Sequence, residues 1–213
     1  MQLHHLIKEP KVKLDKNPAI ILLHGYGSNE ADLFSFADAF PEDYYVIAAR
    51  APFDLMYESY AWYAINFNAD STKFSDINQA INSRDLIVAF INQCIEGYNL
   101  DSKNINLFGF SQGAILSMAV ALTYPKKIKS VGAFSGYLNQ DMIDLEMLKK
   151  TKSSTKFFVS HGVDDQVIPV EWAQTTKPFL QALSIDVVYK EYPAGHGILP
   201  QNFYDYLNWL ISN

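Results

Sequence analysis

At 213 residues the chain suits one domain, expected to span 1–213, and a hydrophobic fraction of 49% against 19% charged excludes a disordered or fibrous protein. A net charge of −6, with no basic stretch denser than Lys126, Lys127 and Lys129, argues against a nucleic-acid partner. The single cysteine, Cys94, can form no intrachain disulfide. Residues 1–15 are polar and lack a signal peptide's apolar run, and no apolar run is long enough to span a bilayer. A cytoplasmic protein with no integral membrane segment is therefore expected.

Short apolar runs alternate with helical patterns, which predicts a mainly parallel sheet flanked by helices. Residues 19–23 (AIILL) read as a buried strand, followed by a glycine-containing turn and a helix over 29–39. Residues 44–48 are the next strand, and 77–98 carry Ile81, Leu86, Phe90 and Ile91 at helical spacing. A strand at 105–108 runs into GFSQG, and a helix follows from about Gln112 to near Pro125. Strands are expected at 130–134, 157–160 and 186–189, with helices at 141–150, 171–183 and 203–211. Between them, residues 51–76 show no clear periodicity and carry Phe53, Tyr57, Tyr60, Trp62, Tyr63, Phe67 and Phe74. A loop that long is either functional or holds small elements of its own.

The chemistry concentrates in Gly109-Phe110-Ser111-Gln112-Gly113, a G-x-S-x-G placed between a strand and a helix as a nucleophile elbow requires. The tight turn exposes the Ser111 hydroxyl, and glycines solve the crowding on both sides. The following helix aims its N–H groups and positive dipole end at the same point. A serine needs a base, and only His161 and His196 follow Ser111 in the order Ser, acid, His. His196 sits in a glycine-flanked loop between the last strand and the last helix, where it can reach the sheet's C-terminal edge. His161 ends a strand and reads as structural, and His4 and His5 read as solvent-facing. The acid lies in HGVDDQVIP, where Asp164 and Asp165 are adjacent and periodicity does not separate them. Backbone donors for an oxyanion are expected from the N–H of Gln112 and, in the loop after the first strand (LLHGYG), of Tyr26. The sequence has no H-E-x-x-H, C-x-x-C or phosphate-binding glycine loop, so neither a metal nor a cofactor is implied.

LLHGYG, AWY at 61–63, GFSQGA at 109–114, FSGYL at 134–138, HGVDDQVIP and YPAGHGI together make the chain resemble the phospholipase/carboxylesterase family of α/β-hydrolases, which includes the acyl-protein thioesterases. The resemblance runs from about residue 19 to 199. It implies an α/β-hydrolase fold without a large cap domain, and it places the acid on Asp165, beside Ser111 and His196, with Tyr26 and Gln112 as the oxyanion donors. Ala114 departs from the glycine that many members carry there. The implied substrates are esters or thioesters of acyl chains, on small molecules, lysophospholipids or S-acylated proteins, and the motifs do not divide these. Trp62, Tyr63, Phe74, Tyr137 and Leu138 are the expected acyl-binding wall. The rival readings are a serine peptidase or amidase on the same fold, and a hydrolase-like protein that only binds.

Overall fold

The computed structural model describes residues 2–67 and 73–213, with side chains described at all of these except 66, 67, 73 and 74. In chain order its strands and helices are β1 (His5–Lys8), β2 (Asn17–Leu23), α1 (Glu30–Phe34), β3 (Tyr45–Ala49), β4 (Phe53–Asp54), β5 (Tyr60–Ala61), β6 (Ile65–Phe67), β7 (Lys73–Ser75) and α2 (Ile77–Gly97). There follow β8 (Leu100–Phe110), α3 (Gln112–Thr123), β9 (Ser130–Phe134), α4 (Leu145–Lys150), β10 (Lys156–Gly162), α5 (Val170–Gln174), α6 (Thr176–Ala182), β11 (Val187–Tyr192) and α7 (Pro200–Ile211).

Seven strands form one sheet in the order β1-β3-β2-β8-β9-β10-β11, parallel throughout except for β1, which runs antiparallel along β3. Both faces are covered, which is why the strands read as continuous apolar runs. Along β2, Ala19, Ile21 and Leu23 join a core with Ile87 and Ile91 of α2 and with Leu116 of α3, while Ile20 and Leu22 face Leu33 of α1. Phe108, Phe134 and Phe158 continue that second face under Phe203, Tyr206 and Leu210 of α7. Helix α3 is buried along its whole length, a core helix rather than an amphipathic surface one.

Three expected helices are shorter or divided, each for a local reason. Residues 29–39 yield α1, capped by the Asn29 side chain on the Ala31 N–H, and then a separate 3₁₀ turn at Ala37–Ala39. Residues 171–183 split into α5 and α6 because Pro178 has no N–H to give the Gln174 carbonyl. Within 141–150 a 3₁₀ turn at Gln140–Met142 precedes α4, whose start is set by the Asp144 side chain accepting the Met147 N–H. Strand β8 begins five residues before the expected 105, through polar Asp101 to Asn104, and β1 was not foreseen. His5 is half-buried on β1, with Nε2 2.8 Å from the Tyr98 hydroxyl, so it does not face solvent as expected; His4 does, its side chain 59% exposed. The aromatic segment 51–76 carries two small antiparallel strand pairs, β4 with β5 and β6 with β7.

The elbow glycines are set by contact rather than by φ. A Cβ on Gly113 would lie 1.9 Å from the Leu23 carbonyl oxygen, and one on Gly109 2.4 Å from the Gly113 carbonyl oxygen. The first turn of α3 thus rests directly on the ends of β2 and β8. Gly113→Ala is expected to destabilise the protein at the upper end of the roughly 1–3 kcal/mol typical of overpacking. At about 2–4 °C per kcal/mol for this size, that is a fall of roughly 6–12 °C in Tm by calorimetry.

Candidate active site

Ser111 stands between β8 and α3 with φ 52° and ψ −116°, a left-handed conformation that costs a non-glycine residue of order 1–3 kcal/mol. Its N–H is held by the Phe134 carbonyl at 2.8 Å. The turn presents Oγ 2.9 Å from Nε2 of His196, and Nδ1 of His196 lies 2.7 Å from Oδ2 of Asp165. The imidazole donates Nδ1–H to the carboxylate and accepts the serine hydroxyl at Nε2. The structure therefore brings Ser111, His196 and Asp165 into one hydrogen-bonded chain. Asp164, the neighbouring alternative, is exposed, and its N–H goes to the Ala194 carbonyl at 3.0 Å.

The acid and base loops are locked to each other. A Cβ on Gly162, at the end of β10, would fall 2.3 Å from the Ala194 carbonyl oxygen and 2.4 Å from that of Gly195. Only a glycine lets the HGVDD loop lie against the loop that carries His196, with the Val163 N–H on the Tyr192 carbonyl at 2.9 Å. Asp165 is buried, and its Oδ1 accepts the N–H groups of Val167 and Ile168 at 2.8 and 2.9 Å. Burial pushes the carboxyl pKa up. The Ile168 N–H, the His196 bond and the Val167 N–H together outweigh that and hold it below the ordinary carboxylate value.

Gln112 is the first residue of α3, so its N–H has no intrahelical acceptor. Tyr26, in the loop after β2, donates its N–H to no acceptor among the described residues. Both line the cavity at Ser111. The Gln112 side chain has a second task that sequence reasoning missed: Oε1 accepts the Trp62 N–H and Nε2 donates to the Tyr63 carbonyl, both at 2.8 Å. Trp62 in turn donates its indole N–H to the His24 carbonyl at 2.9 Å, and its own carbonyl accepts the Ser83 hydroxyl of α2. His24 Nε2 accepts the Ala51 N–H at 3.0 Å. Burial lowers the His24 pKa, which keeps that nitrogen free of a proton. A single buried network thus ties the Tyr26 loop to α3, to α2 and to the aromatic segment. Only a residue's backbone partners reveal such a network, and those are invisible in the sequence.

The cavity over Ser111 measures about 660 Å³. Ser111, Gln112, His196 and Tyr26 lie at its reactive end; Tyr63, Ile65, Ile77, Ile115, Tyr137 and Trp172 supply apolar walls; Ser75, Asn139 and Asp141 add polar groups. Of the expected acyl wall, Tyr63 and Tyr137 line this space. Trp62 does not: it is fully buried behind the wall, where its indole serves the network above. Leu138 is also packed in the core, its N–H on the Thr176 hydroxyl at 3.2 Å. The Phe74 side chain lies outside the described residues. Trp172 and Ile115 belong to the lining although the sequence did not single them out. Ala114 fits opposite Gly136, where any Cβ would come within 2.7 Å of its methyl. Cys94 is buried away from this cavity, and burial pushes its thiol up to about 12.

An open parallel sheet with a serine on the strand-to-helix turn beyond its central strand defines an α/β-hydrolase. The chain belongs to the phospholipase/carboxylesterase family, whose sequence profile matches residues 4–212. It is 32% identical over 123 residues to a probable carboxylesterase, SOBER1-like, of Arabidopsis thaliana, covering 57% of this chain and 47% of that protein. Acyl-protein thioesterase 1 of Yarrowia lipolytica is 24% identical over 212 residues, 91% of each chain. The crystal structure of esterase PE8 superposes with a TM-score of 0.84 at 25% identity, covering 100% of this chain and 99% of that one. The chain spans about half the length of the curated relatives it matches at about one-third identity. Among the described residues no helix is long and apolar enough to cross a membrane.

Two outcomes follow from this geometry. Trp62→Ala is expected to cost about 3–5 kcal/mol in urea unfolding, as a buried aromatic truncation does. Because the folded-state pKa of Asp165 is depressed, its contribution to stability is present above the unfolded value and lost as pH falls through the folded one. The stability difference between wild type and Asp165→Asn should therefore be largest near neutral pH and narrow below the ordinary carboxylate value of 3.8, read by denaturation at a series of pH values.

Proposed function

We propose that this protein is a serine carboxylesterase, one domain over 1–213 acting in the cytoplasm, that hydrolyses acyl esters or thioesters through an acyl-enzyme. The observation that carries the reading is the chain Ser111–His196–Asp165, bonded at 2.9 and 2.7 Å and opening into a largely apolar cavity. His196 takes the Ser111 proton as Oγ attacks the acyl carbonyl, and Asp165 holds the imidazole and stabilises its positive charge. The oxygen that becomes negative rests on the N–H groups of Gln112 and Tyr26. His196 then gives its proton to the departing alcohol or thiol. Water, deprotonated by the same imidazole, releases the acid and restores Ser111.

The substrate class follows from the walls. Tyr63, Ile77, Ile115 and Tyr137 favour an acyl chain over a charged group, and relatives named carboxylesterase and acyl-protein thioesterase fit the same chemistry. Small-molecule esters, thioesters and acylated proteins are all in this class.

The test is hydrolysis of p-nitrophenyl esters from acetate to palmitate. Ser111→Ala is expected to lose turnover by about six orders of magnitude, the scale known for removing such a nucleophile in another serine hydrolase, subtilisin. Tyr137→Ala should change the chain-length profile more than it lowers acetate turnover. No ester turnover by folded wild type, with amide turnover instead, would replace this reading by that of an amidase; turnover of neither would leave a binding protein.

A further inference from the structure

His161, at the inner end of β10, is completely buried and has no part in the mechanism above. Its Nε2 lies 2.8 Å from the Ile168 carbonyl oxygen and 3.3 Å from Asp165 Oδ2. A carbonyl oxygen only accepts, so Nε2 carries a proton. Nδ1 is buried with no partner among the described residues. Geometry thus assigns a proton to Nε2. Ile168 closes the arrangement, because its N–H goes to Asp165 Oδ1 while its carbonyl takes the His161 N–H. The other acids on neighbouring elements, Asp164, Glu171 and Glu191, are exposed; Glu191, the register partner of His161 on β11, accepts from Gln174 and Tyr189.

We propose that His161 is a positioning residue for the acid: its Nε2–H holds the Ile168 carbonyl, and the same residue's N–H holds Asp165 Oδ1, so that the carboxylate keeps the one rotation serving His196. The role rests on the esterase reading above, but the bond to the Ile168 carbonyl does not. Without the brace, the Ile168 carbonyl loses its partner, and the loop whose N–H groups hold Asp165 Oδ1 loses the bond that fixes it to β10.

The decisive experiment joins imidazole ¹H–¹⁵N spectra of the wild type to the kinetics of two variants. The spectra are expected to show a His161 proton on Nε2, held in a hydrogen bond. His161→Phe, which keeps a ring but no N–H, should lower kcat at least about tenfold with KM within about twofold, the scale of loss seen for orienting partners of other histidine sites. His161→Gln, whose amide N–H reaches a similar point, should recover most of that loss. An Nε2 without a proton, wild-type kcat in folded His161→Phe, or a folded Gln variant as impaired as Phe would each overturn the proposal. Should His161→Phe not fold, the spectra and the Gln variant decide. If the wild type hydrolyses no ester, the esterase reading fails on its own and the spectra still test the proton assigned to Nε2.

Discussion

The contact on which the site depends is that of one backbone against another, where the first turn of α3 presses on the ends of β2 and β8. With no side chain at Gly109 or Gly113, the helix axis comes close enough to aim its first N–H groups just past the sheet edge. Ser111 is the residue that must complete this crossing, and it takes up the left-handed conformation that the approach forces on it. The strain is held by packing rather than by local preference. Helix α3 is buried throughout, and the Phe134 carbonyl fixes the Ser111 N–H from the neighbouring strand. A nucleophile presented in this way has no slack to lose when substrate arrives.

The same device recurs at the other half of the site. Parallel strands all deliver their following loops to one edge of the sheet, so the loops after β2, β8, β10 and β11 meet there. Meeting is not yet alignment. Gly162 supplies the alignment between acid and base by admitting the carbonyls of Ala194 and Gly195, and Gln112 supplies it between the Tyr26 loop and α3 through the backbone of residues 62 and 63. Each pair of loops is thus registered by a contact to main chain, which tolerates little displacement. The cavity walls make a looser demand, chiefly for apolar volume.

This division explains what the sequence disclosed. Strands β2 and β9 were legible because both faces of the sheet are covered and residues 19–23 and 131–134 carry no polar side chain. Ser111 and His196 were legible because glycines flank them, and the glycines answer to backbone crowding that a motif records directly. Asp165 was separable from Asp164 only by resemblance, since the distinction lies in which carboxylate turns inward, a matter of loop conformation. The sequence places Trp62 among the wall residues because aromatic composition cannot tell a ring that faces a cavity from one that seals its rear. Strand β1 was missed because an antiparallel edge strand of four half-buried residues, HLIK, carries no period strong enough to notice. The breaks in the helices at 29–39 and 171–183 turn on single caps and on Pro178, below the resolution of hydrophobic spacing.

The buried carboxylate of Asp165 shows how the fold reconciles a charge with its core. Removing an ionised group from water is costly unless hydrogen bonds replace the lost solvation. Here Oδ1 receives two peptide N–H groups from a turn of the acid's own loop, and Oδ2 receives the His196 ring. The two peptide donors are present in the folded protein whatever the state of His196, so the charge does not depend on the imidazole for its survival. That independence matters to the proposed mechanism. As His196 gains and gives up a proton, the acid beside it must stay ionised and still, and a carboxylate anchored at one oxygen by the backbone can respond through the other without moving.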